Sequence, residues 1–315
     1  MNDTELRAEL AALLPKPAGP RMPRDTLLRR RARLLAEIDR GTGSPVRRKG
    51  LLLILAPVAA VVVTALAATV VAAPWDRGSA PPIVQVLPGD HDAAVEFLNG
   101  LALSGARSAP ERAEGRYLYV RSRVAFVAFS GGADGEPVEA KLQEPHDREI
   151  WKPLFVGGNG LVREDGESID TGAARPVDLQ PELPDDPEAL LTKIYAESKG
   201  QGHSSDGQAF TVIGDLLSES LLSPEQTAVL YRAAARIPGV ELVPDAVDAI
   251  GRHGVAVART EQSRRREWIF DRATGQYLGE RSYLVEDTEY GRTGMLLSTT
   301  AETTRAVVGR IGTRP

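Results

Sequence analysis

The sequence GLLLILAPVAAVVVTALAATVVAAPW, residues 50–75, contains no charged side chain and decides the organisation of the chain. Arg47, Arg48 and Lys49 flank it on the N-terminal side. Its middle is 23 consecutive Leu, Ile, Val, Ala and Thr residues with one Pro. A helix that rises about 1.5 Å per residue over such a length crosses a bilayer core of roughly 30 Å. We therefore expect a single transmembrane helix over residues 50–74.

Two other interpretations of this run remain open. A cleaved signal peptide is one, because Val71, Ala72 and Ala73 are small enough for a peptidase, although 49 residues precede the run and Pro74 would follow the cut. A buried core helix is the other, although soluble folds seldom need such a long and uniform apolar helix. Pro57 lies near the start of the run, where the loss of one backbone hydrogen bond is tolerated.

The charges on either side of the run differ in sign. Residues 1–49 contain 12 Lys and Arg against 6 Asp and Glu, which leaves 26 against 37 in the rest of a chain of net charge −5. Because cytoplasmic flanks are enriched in Lys and Arg, we expect the N-terminus in the cytoplasm and residues 75–315 outside it. The predicted location is thus the cell membrane, with membrane lipids as one partner.

Residues 1–49 form a basic arm with two short amphipathic stretches. In the second stretch, five apolar residues align on one helical face: Leu27, Leu28, Leu34, Leu35 and Ile38. A helix this short is marginal in water unless its apolar face packs on something. The pattern predicts either docking to a cytoplasmic regulatory partner or a basic tether that rests on anionic lipid.

Beyond the run, residues 75–91 are rich in Pro and Gly and predict a linker, and residues 92–315 predict one extracytoplasmic domain. The domain has no Cys, so it depends on packing and strand pairing. Period-two alternation over residues 117–129 and again after residue 240 predicts strands, and three helical segments between residues 187 and 237 interrupt them. We therefore expect an α+β class, with a curved, mainly antiparallel sheet and a helical insertion.

Local signals define two helix starts and one turn. Asp186 before Pro187 and Ser223 before Pro224 each place an N-cap residue ahead of a proline in the first helical position. Residues 271–275 combine Asp with Gly between two strand patterns, which predicts a hairpin turn.

Motifs that carry chemistry are missing from the sequence. The four histidines, His91, His146, His203 and His253, do not fall in a zinc-binding spacing, and no nucleophile elbow, P-loop or dinucleotide fingerprint occurs. Arg264, Arg265 and Arg266 come without an aromatic platform, which argues against nucleic acid as a partner. We expect no cofactor, no metal site and no catalysis.

Aromatic residues recur along the predicted sheet and include Tyr117, Tyr119, Trp268 and Phe270. Ordinary core and cross-strand packing accounts for such residues. The alternative is that a curved sheet closed by the helical segments leaves an apolar concavity that binds an acyl chain or a peptide through these four residues.

Four segments carry a family resemblance: residues 230–233, 237–240, 268–271 and 274–280. They resemble a family of uncharacterised actinobacterial single-pass membrane proteins. The layout is similar to that of membrane-bound regulators of extracytoplasmic-function sigma factors, which implies a sigma factor as the cytoplasmic partner. By fold analogy, it also implies a half-barrel like that of periplasmic lipoprotein carriers. Residues 1–49 depart from zinc-containing anti-sigma domains, since they contain neither Cys nor His.

These observations predict a non-enzymatic, membrane-anchored sensor or regulatory protein. Its extracytoplasmic domain would bind a lipid or a peptide, and its cytoplasmic arm would bind a sigma factor or another regulator. A membrane-tethered carrier or chaperone for lipid or lipoprotein is the second hypothesis. A surface hydrolase that uses carboxylates is the third, and the sequence gives it the least support.

Overall fold

The computed structural model of the protein describes residues 78–104, 116–130, 139–173 and 183–315. The strands are β1 (Gly78–Ser79), β2 (Tyr117–Ser130), β3 (Glu139–Gln143), β4 (His146–Pro153), β5 (Asn159–Glu164), β6 (Glu167–Ala173), β7 (Val240–Val247), β8 (His253–Glu261), β9 (Arg264–Phe270), β10 (Tyr277–Leu284) and β11 (Leu296–Val308). The helices are α1 (His91–Leu103), α2 (Pro187–Glu197), α3 (Ser205–Glu219) and α4 (Pro224–Ala234).

One antiparallel sheet contains all of these strands. Its order is β6-β5-β4-β2-β11-β10-β9-β8-β7, and β3 pairs with both β2 and β1 beside this path. The long strands β2 and β11 pair from Ser298 with Phe126 to Val308 with Tyr117. Strands β2 and β11 are far apart in the chain, so their pairing joins the strands β2–β6 and the strands β7–β11 into one sheet.

The segment between β1 and α1 follows the sheet instead of leaving it. Val84 N donates to Gly294 O at 2.7 Å, and Asp90 and Leu242 bond to each other's backbone. Residues 78–91 of the predicted linker therefore lie along the strand ends and lead directly into α1.

The helices cover one face of the sheet at β7–β10 and enclose the largest hydrophobic core. Phe210 of α3 stacks on Trp268 of β9, with ring centroids 3.8 Å apart and planes within 4°. Gly214 makes this approach feasible, because a Cβ atom at that position would collide with the Trp268 indole. The absence of a side chain at Gly214 thus sets how closely α3 packs on β9.

The predicted fold class is wrong. The described residues form a mostly antiparallel sheet, with ten strands of five or more residues and four helices, and they include no helix long and apolar enough to cross a membrane. The helices have 11 to 15 residues, a length that covers a sheet face but falls short of a bilayer core of about 30 Å. The apolar periodicity of the helical segments led us to expect an α+β class, whereas the described residues form more strand than helix.

Several predictions fall on residues outside the described part of the chain. These are the apolar run over residues 50–74, the flanking residues Arg47, Arg48 and Lys49, and the apolar face of the basic arm formed by Leu27, Leu28, Leu34, Leu35 and Ile38. Their structure and the predicted membrane location stay predictions.

The predicted helix starts are confirmed. The Asp186 carboxylate accepts hydrogen bonds from Glu188 N and Ala189 N. Ser223 and Gln226 form a reciprocal capping box at the start of α4, in which Ser223 Oγ accepts from Gln226 N and Gln226 Oε1 accepts from Ser223 N. Each cap satisfies backbone N–H groups that have no partner within the helix.

We predict that Ser223→Ala lowers the free energy of unfolding by about 1 kcal/mol, because the capping hydroxyl is lost. Denaturant unfolding of the full chain measures the loss. Ser205→Ala is the matched control, since Ser205 is the first residue of α3 and is exposed. Equal losses for the two variants would show that the capping box contributes nothing to stability.

Candidate functional site

Two adjacent cavities lie where the helices meet the sheet. The first, which we call the Tyr231 cavity, has a volume of about 450 Å³ and is lined by parts of α3, α4, β10 and β11. The second, which we call the Phe97 groove, has a volume of about 880 Å³ and lies between α1 and the β9–β10 turn. They share the lining residues Leu101, Ser104, Thr274, Gly275 and Gln276, so they adjoin at the end of α1.

The β9–β10 turn forms the shared wall. As predicted from the sequence, Asp271 organises it: its Oδ1 atom accepts from Ala273 N at 3.0 Å and from Thr274 N at 2.7 Å. Gly275 then adopts a φ of +71°, which favours glycine. A Cβ atom on Gly275 would also overlap the Leu101 side chain. The turn therefore packs directly against α1.

Phe270 is a core residue that contacts aromatic rings of both cavities. It is fully buried, and its ring makes edge contacts with Phe97 at 5.7 Å, Tyr231 at 6.0 Å and Tyr277 at 5.8 Å between centroids. Phe97 lines the groove, while Tyr231 and Tyr277 line the cavity. One core residue of β9 thus sets the position of three aromatic rings that face the two spaces.

An ion pair lines the Tyr231 cavity. The Nε atom of Arg305 donates to Glu302 Oε1 at 2.9 Å, and its Nη2 atom donates to Glu302 Oε2 at 2.7 Å. The same guanidinium donates to the backbone oxygens of Leu217, Ser218 and Ser220 at the C-terminal end of α3. A cation stabilises helix carbonyls that have no partner in the helix, so Arg305 joins α3 to β11.

A second cation of the cavity wall is also paired. Arg252 Nε donates to the buried carboxylate of Asp248 at 2.6 Å, and Arg252 Nη2 donates to Leu278 O and Glu302 O, each at 2.9 Å. These bonds tie the β7–β8 turn to β10 and β11. The positive charge of Arg252 is therefore balanced by Asp248.

Two tyrosine hydroxyls of the cavity differ in their partners. Tyr277 donates to Glu280 Oε1 at 3.0 Å, and burial followed by the Glu280 charge raises the pKa of Tyr277 well above its usual range. Burial also raises the pKa of Tyr231 to about 12. Among the described residues, the Tyr231 hydroxyl has no hydrogen-bond partner, although the residue is only 6% exposed. Both phenols are neutral at physiological pH.

The four aromatic residues of the predicted concavity lie in two places. Tyr119 is buried beside Trp151 on the sheet at β2 and β4, with Tyr117 packed against them. Trp268 and Phe270 lie in the core beneath the helices. Strands β10 and β11 separate the two pairs, and none of the four lines the Tyr231 cavity or the Phe97 groove.

The sequence did not single out Tyr231 or Arg305 as site residues. In the sequence, Tyr231 falls only within one of the segments that carry the family resemblance, residues 230–233, and Arg305 falls within the strand pattern after residue 240. The one local signal near the site was the predicted turn at residues 271–275. Tyr231 of α4 and Arg305 of β11 line the same cavity only once the chain has folded and the end of α3 bonds to Arg305.

Two clusters of polar residues outside the cavities have structural roles. Ser204 accepts from Gly207 N as the N-cap of α3 and donates to Glu261 Oε2 at 2.9 Å. Asp90 caps α1, and His91 Nδ1 lies 2.7 Å from Val240 O. Within the described residues, no group of three potential ligands could hold a metal ion.

We predict that Gly275→Ala lowers the free energy of unfolding more than Gly166→Ala does. Both glycines have positive φ, +71° and +81°, but a Cβ atom meets nothing within 4 Å at Gly166. The backbone strain, about 1 kcal/mol, is therefore common to both variants. The difference reports the packing of the turn on Leu101, and denaturant unfolding measures it. Equal losses of unfolding free energy in the two variants would contradict the packing of the turn on Leu101.

We predict that Arg305→Lys lowers the free energy of unfolding by about 2 kcal/mol, because an ammonium cannot bridge Glu302 and three carbonyls at once. Arg310→Lys is the control at an exposed position and should change stability by less than about 0.5 kcal/mol. Thermal and denaturant unfolding of the full chain compare the two. A loss at Arg305 no larger than the control contradicts its role as a clamp.

Comparison of the sequence with known protein families finds no family model that matches, and comparison with curated proteins finds no match. The resemblance to actinobacterial membrane regulators stays a prediction.

Proposed function

We propose that this chain is a non-enzymatic ligand-binding protein of the sensor or regulatory kind, and that its ligand occupies the Tyr231 cavity and the Phe97 groove. The observation that carries the proposal is the pair of adjoining cavities, about 450 and 880 Å³ in volume, at the junction of α1, the β9–β10 turn and the helices. Ligand sites are typically concave spaces of such a size that combine apolar walls with a few polar groups, and here the groove supplies most of the apolar wall and the cavity supplies the polar groups.

The side chains of the Tyr231 cavity support binding better than catalysis. General acid–base and nucleophilic catalysis need a group that is free to exchange a proton or attack a substrate. Glu302 is the carboxylate among the described residues that line this cavity, and both of its oxygens accept from Arg305. Its charge stabilises the fold and is not available as a base.

The placement of the site supports a sensing role. The Phe97 groove is bounded by α1, and α1 follows the segment that leads from residue 78 along the sheet. A ligand between α1 and the β9–β10 turn would favour one position of α1 over others. Binding shifts a conformational equilibrium when the ligand contacts one conformation better than the other. The cytoplasmic regulatory partner and the membrane location rest on the sequence alone. The alternative of a lipid or lipoprotein carrier would use the same groove.

Photo-crosslinking tests the proposed function. Gly100 lines the groove, and a Cβ atom there meets nothing within 4 Å, so a benzoyl-phenylalanine at position 100 should be accepted. Gly309 has the same free space, lines neither cavity and serves as the control position. We predict that irradiation of cells expressing the full chain gives a small-molecule adduct at position 100 and none at position 309, as measured by mass spectrometry.

Two results contradict the proposed function. One is the absence of an adduct at both positions, and the other is the same adduct at both, which reports contact with bulk solutes. A second variant, Gly100→Leu, adds four carbon atoms to the wall of the groove. It should reduce crosslinking from a photoreactive residue at position 104, because Ser104 lines both cavities, while Gly309→Leu should not.

A further inference from the structure

The Tyr231 cavity has no unpaired charge among its described lining residues. Arg305 pairs with Glu302, and Arg252 pairs with Asp248. The side chains of Arg305 and Glu302 are only 15% and 13% exposed. An ionised ligand group in this cavity would have to break one of these pairs or remain without a counter-ion, and both are costly in a partly buried site.

Neutral hydrogen-bonding groups, in contrast, are available there. The Tyr231 hydroxyl has no partner among the described residues and can donate or accept. Thr227 Oγ1 donates to Ser223 O at 2.9 Å, and Thr303 Oγ1 donates to Arg121 O at 3.0 Å, so each keeps lone pairs that can accept a hydrogen bond. The cavity therefore offers a hydrogen-bond donor and hydrogen-bond acceptors, which a hydroxyl or an amide group of a ligand needs.

The adjoining groove has a more apolar wall. Ala93, Phe97 and Leu101 of α1 face Leu242 of β7 across it. Glu96 and Arg272 also line the groove, and both are exposed, so water screens their charges. A chain of carbon atoms can pack on this wall without removing a paired charge from water.

We infer that the ligand is a small amphiphile with an uncharged head group. The head group, a hydroxyl or an amide, bonds to the Tyr231 hydroxyl inside the cavity, and the apolar chain follows the Phe97 groove. This inference rests on the proposed function, since it names the class of ligand for the same site. It goes further because it specifies the charge of the head group and the side chain that recognises it.

Three probes of equal chain length test the head group: 1-octanol, octanoate and octylammonium. Because the chain has no Cys, Ser220→Cys places a single thiol in the wall of the Tyr231 cavity. The measurement is the rate at which N-ethylmaleimide labels this thiol in the full chain near neutral pH. We expect 1-octanol to slow labelling at concentrations about tenfold lower than either charged probe requires.

The role of Tyr231 is tested in the same background. Tyr231→Phe removes only the hydroxyl, and the concentration of 1-octanol that halves the labelling rate should rise about fivefold, as expected for one neutral hydrogen bond. Tyr195→Phe is the control, since the Tyr195 hydroxyl donates to Asp206 at 2.7 Å and lines neither cavity. It should leave the protection by 1-octanol unchanged.

The outcomes separate this inference from the proposed function. Protection by octanoate or octylammonium at the same concentration as 1-octanol overturns the neutral head group, while an adduct at position 100 still supports ligand binding. Equal protection in the Tyr231→Phe variant overturns the assignment of Tyr231. If no probe protects the thiol, the inference fails, and the proposed function fails as well only if position 100 also gives no adduct.

Discussion

The contact between Arg305 and the end of α3 is the interaction on which the rest of the structure depends. A planar guanidinium with five donors is able to satisfy a carboxylate and several carbonyls together, which a lysine is not. In doing so, Arg305 holds the last turn of α3 at a fixed distance from β11. The end of α3 and β11 both line the Tyr231 cavity. The interaction that joins them therefore also forms part of the wall of the candidate site.

The same interaction determines the character of the site. A free arginine in a cleft would favour an anionic ligand, but Arg305 is paired with Glu302 and bonded to the helix carbonyls. The remaining polar groups are hydroxyls, and Phe270 holds the tyrosine rings in place from the core. In our proposal, one ion pair thus contributes both to stability and to the preference for an uncharged ligand. A change that frees the arginine should alter both.

The sequence predicted local structure better than it predicted the site. Caps such as Ser223 and turns such as Asp271–Gly275 are decided by residues within one turn of each other, so a short pattern is enough. The share of sheet in the fold was underestimated. The pairing of β2 with β11 joins residues that are far apart in the chain, and a short sequence pattern does not show such a pairing. Tyr231 and Arg305 lie 74 positions apart in the chain. Their proximity follows from helix packing, which no local pattern encodes.

Hydrogen–deuterium exchange of the full chain with and without 1-octanol tests the central claim most directly, because it reports where a ligand binds without any substitution. We predict slower exchange in residues 97–104 and 271–277, which border both cavities, and no change in residues 146–164 of β4 and β5. Slower exchange in β4 and β5 alone, or no change at any of these segments, would contradict the claim that the junction of α1 and the β9–β10 turn is the ligand site.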